Sequence, residues 1–201
     1  MSPEQVLFLP GASGDTQFWR PAADLLQHPA QRGFIGWPGF GQTPADPAIG
    51  GVADLAASVA AMIDQPTALV AQSMGCVVAI LAALERRSLV THLVLTAASG
   101  GVDVHGLGGF AWQREFLEAP RPVPDWFAAY DKDLSDDLST LAIPALLLWG
   151  DADPISPVAV GQRFAGLLPD SRLQVITGGT HAMGRALAAE VAPLIDRHLS
   201  S

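Results

Sequence analysis

Thr67-Ala68-Leu69-Val70-Ala71-Gln72-Ser73-Met74-Gly75-Cys76-Val77-Val78-Ala79-Ile80 is the stretch whose reading decides the fold. It begins as a short apolar run, breaks at a serine flanked by small residues, and resumes as an apolar segment with helical spacing. A short apolar run bounded by a turn reads as a buried strand, and the resumed segment as a helix. The order is strand, sharp turn, helix.

The turn has the pattern small-x-Ser-x-Gly, close to the G-x-S-x-G of a nucleophile elbow. Such a turn is strained and holds the serine hydroxyl at the end of a sheet. Bulk two positions before or after Ser73 would collide with the neighbouring strand or helix, and Ala71 and Gly75 offer one methyl and no Cβ there. The Met74 N–H opens the following helix, where donors are unpaired and the dipole favours negative charge. That makes it a candidate oxyanion donor. The bland alternative is a surface turn that contains Ser and Gly by chance, so the rest of the chain must decide.

Upstream, Val6-Leu7-Phe8-Leu9 ended by Pro10-Gly11 predicts a buried strand, and Ala12-Ser13-Gly14-Asp15 a loop. Residues 16–27 predict a helix with Phe18, Trp19, Leu25 and Leu26 on its apolar face and Pro21 early, where proline is tolerated. A strand running into a Gly-rich turn can place backbone N–H groups over a site, so the Ala12 N–H is a candidate second oxyanion donor. A plain strand–helix connection is the alternative. Phe34-Ile35-Gly36-Trp37 predicts the second strand, residues 38–44 a Pro/Gly loop, and residues 52–63 a helix facing the core through Val52, Leu55, Val59, Met62 and Ile63.

Downstream, the elbow helix runs to about Arg87, and strands are expected at 92–97, 145–149 and 172–176. Ser156 as N-cap and Pro157 in the first turn start a helix that reaches about Leu168. Residues 182–199 form a closing helix that Pro193 bends or splits. Regular alternation of strands and helices argues for a mostly parallel central sheet with helices on both faces. The pattern loosens over 102–142, which carries Phe110, Trp112, Phe116, Trp126, Phe127 and Tyr130. Aromatic-rich insertions after a parallel strand sit at the carboxyl edge, where ligands bind. The expectation is a short lid or cap, with an ordinary helical connection packed on the core as the alternative.

The chain has 201 residues, which bounds it to a single domain, 1–201, with 102–142 as the insertion. Its 49% hydrophobic and 15% charged composition supports a sizeable core and argues against disorder. A net charge of −9 without a basic cluster argues against nucleic acid and against an anionic membrane surface. Cys76 is the only cysteine, so no intramolecular disulfide forms, as expected in a reducing cytoplasm. No secretory signal and no run approaching the ~18 apolar residues of a membrane span are present in the sequence. His and Cys are too scattered for a structural zinc site.

Three loops then stand at the carboxyl ends of successive parallel strands, carrying Ser73, Asp151 or Asp153, and His181. A serine hydroxyl is a poor nucleophile until a base takes its proton. Histidine can do so near neutral pH, and a carboxylate fixes its tautomer and stabilises the imidazolium. The order Ser, Asp, His is the order of the α/β-hydrolases.

The chain resembles the α/β-hydrolase superfamily over almost its whole length. Phe8-Leu9-Pro10-Gly11 with Trp19 downstream is similar to the family's oxyanion loop, and Trp37-Pro38-Gly39-Phe40-Gly41-Gln42-Thr43 to its Gly-rich loop. Ala71-Gln72-Ser73-Met74-Gly75 is similar to its elbow, Ile143-Pro144 through Pro157 to its acid loop, and Gly179-Thr180-His181 to its histidine loop. The resemblance implies Ser73 as nucleophile, His181 as base, Asp153 rather than Asp151 as the acid, and Ala12 and Met74 N–H as the oxyanion hole. It also implies an α/β-hydrolase fold that starts at the family's third strand, without the usual N-terminal hairpin. Within the superfamily the chain looks most like small carboxylesterases related to the pimeloyl-carrier-protein methyl esterase and enol-lactonase groups.

The expected activity is a serine hydrolase cleaving a small carboxylic ester or thioester through an acyl-enzyme, with no metal or organic cofactor. Lyases and C–C bond hydrolases use the same triad, and a non-catalytic ligand-binding member of the fold is a further alternative. Phe110, Trp112, Trp126 and Phe127 are candidates for an acyl pocket, with core packing as the alternative for each. Asp103 is a remote rival for the acid. His28, His92, His105 and His198 read as packing or surface residues, and Cys76 as a buried apolar filler.

Overall fold

The computed structural model describes residues 1–118 and 122–201. In chain order the elements are β1 (Gln5–Leu9), α1 (Arg20–Ala23), β2 (Gln31–Phe34), α2 (Val52–Ala61), β3 (Thr67–Gln72), α3 (Gly75–Glu85) and β4 (Val90–Thr96). They continue as α4 (Trp112–Glu118), α5 (Ser135–Ser139), β5 (Ala145–Gly150), α6 (Val158–Leu167), β6 (Ser171–Ile176), α7 (Met183–Ala186) and α8 (Ala188–Leu199). The six strands form one sheet in the order β2-β1-β3-β4-β5-β6, and every neighbouring pair is parallel. Parallel pairing brings the loops that follow the strands to a single edge.

Side chains alternate across a strand, and here both faces are apolar. Leu7, Leu9, Leu69, Ala71, Leu147 and Trp149 face one layer, where α2, α3, α5 and α6 pack. Val6, Phe8, Ala68, Val70, Leu146 and Leu148 face the other, against α1, α7 and α8. This double burial is why the strands read as continuous apolar runs. Each fully buried leucine among them contributes about 2 kcal/mol through burial.

Several expectations shift. The helix expected at 16–27 is α1 alone. Before it, the chain turns so that the Trp19 indole N–H donates to the Leu9 carbonyl, and after it the N–H groups of Gln27 and His28 donate to the Asp196 carboxylate instead of continuing the helix. The second strand lies at Gln31–Phe34 rather than 34–37: the Ile35 N–H makes a last bond to the Phe8 carbonyl, and buried Trp37 turns its indole to donate to the Gly11 carbonyl. The closing helix breaks at Leu187 rather than at Pro193, which stays inside α8 on an exposed position.

Ser156 is not the cap of α6. Pro157 occupies that position without a side-chain bond. The Ser156 hydroxyl instead donates to the Ala98 carbonyl at 2.6 Å and accepts from the Trp149 indole at 3.0 Å, tying the loop after β5 to the loop after β4. The 102–142 segment has two characters. Phe127, Leu134, Leu138 and Leu141 are buried in the core, whereas α4 has no buried residue. Arg121, which lies in that segment, falls outside the described residues.

Candidate active site

Ser73 stands between β3 and α3 with φ +56°, in the left-handed region that non-glycine residues avoid. Holding it there costs on the order of 1–3 kcal/mol. The Ser73 N–H donates to the Thr96 carbonyl at 2.9 Å, which fixes the turn against β4. Gly75 makes the turn possible, since a Cβ there would lie 2.2 Å from the Pro10 carbonyl oxygen. The turn aims the Ser73 hydroxyl at His181, whose Nε2 lies 2.9 Å from Ser73 Oγ.

His181 Nδ1 lies 2.8 Å from Asp153 Oδ2. The Asp153 side chain is fully buried, and its other oxygen accepts from the N–H groups of Ile155 and Ser156 at 2.9 and 3.1 Å. A buried carboxylate must be paired and hydrogen-bonded, and this one is both. The histidine loop is held to the acid loop by close backbone packing. The Ala152 N–H donates to the Gly179 carbonyl at 3.0 Å, and a Cβ on Gly150 would lie 2.0 Å from the same oxygen. Asp151 joins these two loops as well, accepting from the Gly178 N–H at 2.6 Å, and is exposed. Of the two aspartates, only Asp153 reaches the histidine. Asp103 accepts from the Gly106 N–H and has no hydrogen bond to His181 among the described residues.

A cavity of about 320 Å³ opens at this point, lined by Gly11, Ala12, Phe18, Ser73, Trp112, Ile155 and His181 among others. Among the described residues, neither the Ala12 N–H nor the Met74 N–H has a hydrogen-bond acceptor. Met74 itself is buried, with its amide at the start of α3. A second cavity of about 580 Å³ lies beside it, bounded by Ser99, Asp103, Phe110, Tyr130 and Lys132 among others.

The four aromatic residues of the expected acyl pocket do not stay together. Trp112 lines the cavity that holds Ser73, and Phe110 lines the second one, 47% exposed. Trp126 and Phe127 line neither. Trp126 packs at a tilt against Phe40, and buried Phe127 packs against Phe40 and Trp37. Ser99 carries no motif that marks it. Its hydroxyl lies 2.8 Å from that of Ser73, and it is fully buried.

The remaining titratable groups stand apart. His92 and His198 form an edge-to-face pair with ring centroids 5.0 Å apart. Burial, and then the neighbouring His92, pull His198 down to about 4. Burial likewise lowers His92 and raises the Cys76 thiol, so Cys76 stays a protonated apolar filler. His105 bonds the Gly109 carbonyl, and His28 lies near Ser2. Among the described residues no group of three or more His, Cys, Asp or Glu could hold a metal ion, and no helix is long and apolar enough to cross a membrane.

The parallel sheet, the strained serine turn and the histidine and acid loops at one edge define an α/β-hydrolase fold. Residues 6–139 match the family described as the alpha/beta hydrolase family, and the chain belongs to it. A Synechocystis protein, named as a candidate non-heme chloroperoxidase, is 36% identical over 74 residues. That match spans 36% of this chain and only 25% of the relative's length. A thermophilic esterase from Thermogutta terrifontis superposes with a TM-score of 0.82 at 20% identity, over 99% of this chain and 90% of that one. A bromoperoxidase from Bacillus anthracis superposes with a TM-score of 0.84 at 18% identity, over 100% of this chain and 93% of that one. At such identities the likeness establishes the fold.

Proposed function

We propose that this α/β-hydrolase cleaves a small carboxylic ester or thioester through an acyl-enzyme on Ser73. The observation that carries the reading is the unbroken hydrogen-bond chain from Ser73 Oγ through His181 to Asp153. With Nδ1–H donated to the buried carboxylate, Nε2 is left as the acceptor that a general base requires.

In the first half-reaction Ser73 Oγ attacks the substrate carbonyl carbon and passes its proton to His181 Nε2. The carbonyl oxygen becomes an oxyanion facing the Ala12 and Met74 N–H groups, which have no acceptor among the described residues. His181 then protonates the leaving alcohol or thiol. In the second half-reaction His181 takes a proton from water, the hydroxide adds to the acyl carbon, and the carboxylic acid leaves as Ser73 regains its proton. Asp153 keeps the imidazole in the productive tautomer throughout. The chain needs no bound group for any of these steps.

The segment 102–142 acts as a short cap on this single domain, with Trp112 as the residue that reaches the cavity. A 320 Å³ cavity sits at the low end of small-molecule sites and suits a small acyl group. The lone buried cysteine and the acidic charge suit a cytoplasmic enzyme of small molecules.

A fluorophosphonate probe, read by intact mass and peptide mapping, tests the reading. The expected result is one adduct on Ser73, absent in Ser73→Ala and formed much more slowly in His181→Ala. A folded wild-type protein that takes no adduct would overturn it.

A further inference from the structure

We infer that Ser99 is a second catalytic serine, a fixed hydrogen-bond donor to the nucleophile oxygen that chiefly speeds release of the acyl group. The inference rests on the acyl-enzyme reading above. Ser99 follows β4, is fully buried, and places its hydroxyl 2.8 Å from Ser73 Oγ. Among the described residues no other group hydrogen-bonds to that hydroxyl.

The direction of the bond follows from counting protons. Ser73 Oγ carries one hydrogen and two lone pairs. With His181 Nδ1–H given to Asp153, the Ser73 hydrogen is needed by His181 Nε2. Ser99 then has only one acceptor for its own hydrogen, a lone pair of Ser73 Oγ. The reverse arrangement would leave a buried Ser99 donor and a histidine acceptor both unpaired, which is the costly outcome for buried polar groups. The chain of donors therefore runs Ser99 to Ser73 to His181 Nε2.

The backbone fixes Ser99 independently of Ser73. Ala97 is held at φ +47°, with its N–H on the Leu148 carbonyl, and the Ala98 carbonyl accepts from the Ser156 hydroxyl at 2.6 Å. The two residues that lead into Ser99 are thus pinned between β4 and β5. A donor so placed does not have to reorganise when charge appears on Ser73 Oγ.

The two half-reactions use this donor unequally. In the free enzyme Ser73 Oγ is a hydroxyl and already a good acceptor, so the bond exists before attack. In the acyl-enzyme the same oxygen is an ester oxygen, a poor acceptor. When water has added and the carbonyl carbon–Oγ bond breaks, the electron pair stays on Oγ and His181 returns a proton to it. Ser99 keeps its own proton and stabilises the departing oxygen. The gain between ground state and transition state is therefore larger in deacylation than in acylation, and only such differential gains accelerate a step.

The test compares wild type, Ser99→Ala and Ser99→Gly with p-nitrophenyl butyrate under pre-steady-state and steady-state conditions. The rate of fluorophosphonate labelling of Ser73 is measured in parallel. Loss of a hydrogen bond to a charge-bearing oxygen predicts a kcat lower by about 10- to 100-fold. The labelling rate and kcat/KM fall by only a few-fold, KM falls with kcat, and the butyryl adduct on Ser73 accumulates by mass. Equal losses in labelling, kcat/KM and kcat in the folded variants, without accumulated adduct, would overturn the role of Ser99 and leave the acyl-enzyme intact. A wild-type protein that takes neither adduct would overturn the acyl-enzyme reading, and the role of Ser99 with it.

Discussion

Gly75 and Pro10 touch across the base of the site, and a Cβ on the glycine would lie 2.2 Å from the proline carbonyl oxygen and 3.1 Å from that of Leu9. The first turn of α3 is therefore pressed directly onto the backbone at the end of β1 and the start of the loop that carries Ala12. No flexible side chain stands between them to give way.

Gly75→Ala should destabilise the protein by about 1–3 kcal/mol, the usual cost of overpacking a rigid contact. It should also slow probe labelling of Ser73 sharply, because relief requires the loop carrying Ala12 to move. Urea unfolding and labelling rates measured on the same samples check both. A fully active, equally stable variant would contradict the contact.

Asp153→Asn and Asp151→Asn separate the two neighbouring aspartates. Asp153 alone bonds His181, so its replacement should lower kcat by about 10³- to 10⁴-fold through loss of the correct tautomer. Asparagine at 151 can still accept from the Gly178 N–H, and ester turnover should stay within about threefold of wild type. Similar losses in both would reassign the acid.

Trp112→Ala and Phe127→Ala separate the cavity from the core. Trp112 lines the space around Ser73, so its truncation should raise KM by about tenfold with little change in melting temperature. Phe127 is 2% exposed against Trp37 and Phe40, and its truncation should cost about 3–5 kcal/mol while leaving KM unchanged in the folded fraction. Phe110→Ala, at an exposed position on the second cavity, should change stability by less than 0.5 kcal/mol in either direction, about the usual limit for surface changes.

His198 gives the fold an acid-sensitive point. Its folded value of about 4 lies below the ordinary histidine value near 6.5, so the unfolded chain binds the extra proton first. Stability from this group is complete above about pH 6.5 and is lost as pH falls through that value toward about 4, a loss on the order of 2 kcal/mol. His92 is lowered by burial too and acts in the same direction. Urea midpoints at pH 7.5 and pH 4.5 should differ by less in His198→Gln than in wild type. An equal difference would remove His198 as the cause.

β3, β4 and β5 are legible as continuous apolar runs because both faces are buried, whereas the part-exposed edge strand β6 is legible from its alternation, and Ser73, Asp153 and His181 stand in loops that follow readable strands. β2 was misplaced because it is an edge strand beginning with exposed Gln31 and Arg32, whereas the apolar run after it is buried as loop. Trp126 and Phe127 looked like ligand contacts because composition cannot tell a core aromatic from a pocket aromatic. Ser99 was invisible for another reason. Its partner lies 26 residues away on an adjacent strand end, and nothing in Ala98-Ser99-Gly100 marks a serine that meets another.

Two tryptophans reach the end of β1 and the loop that follows it from opposite layers of the sheet. Trp19 donates to the Leu9 carbonyl from the α1 and α8 side, and Trp37 donates to the Gly11 carbonyl from the α2 and α3 side. The two bonds bracket Pro10 like a pair of rivets, so the course of the chain there is fixed from both layers of the fold. Changes in α4, which has no buried residue, therefore leave these two bonds untouched, whereas a change at Trp19 or Trp37 removes one of them.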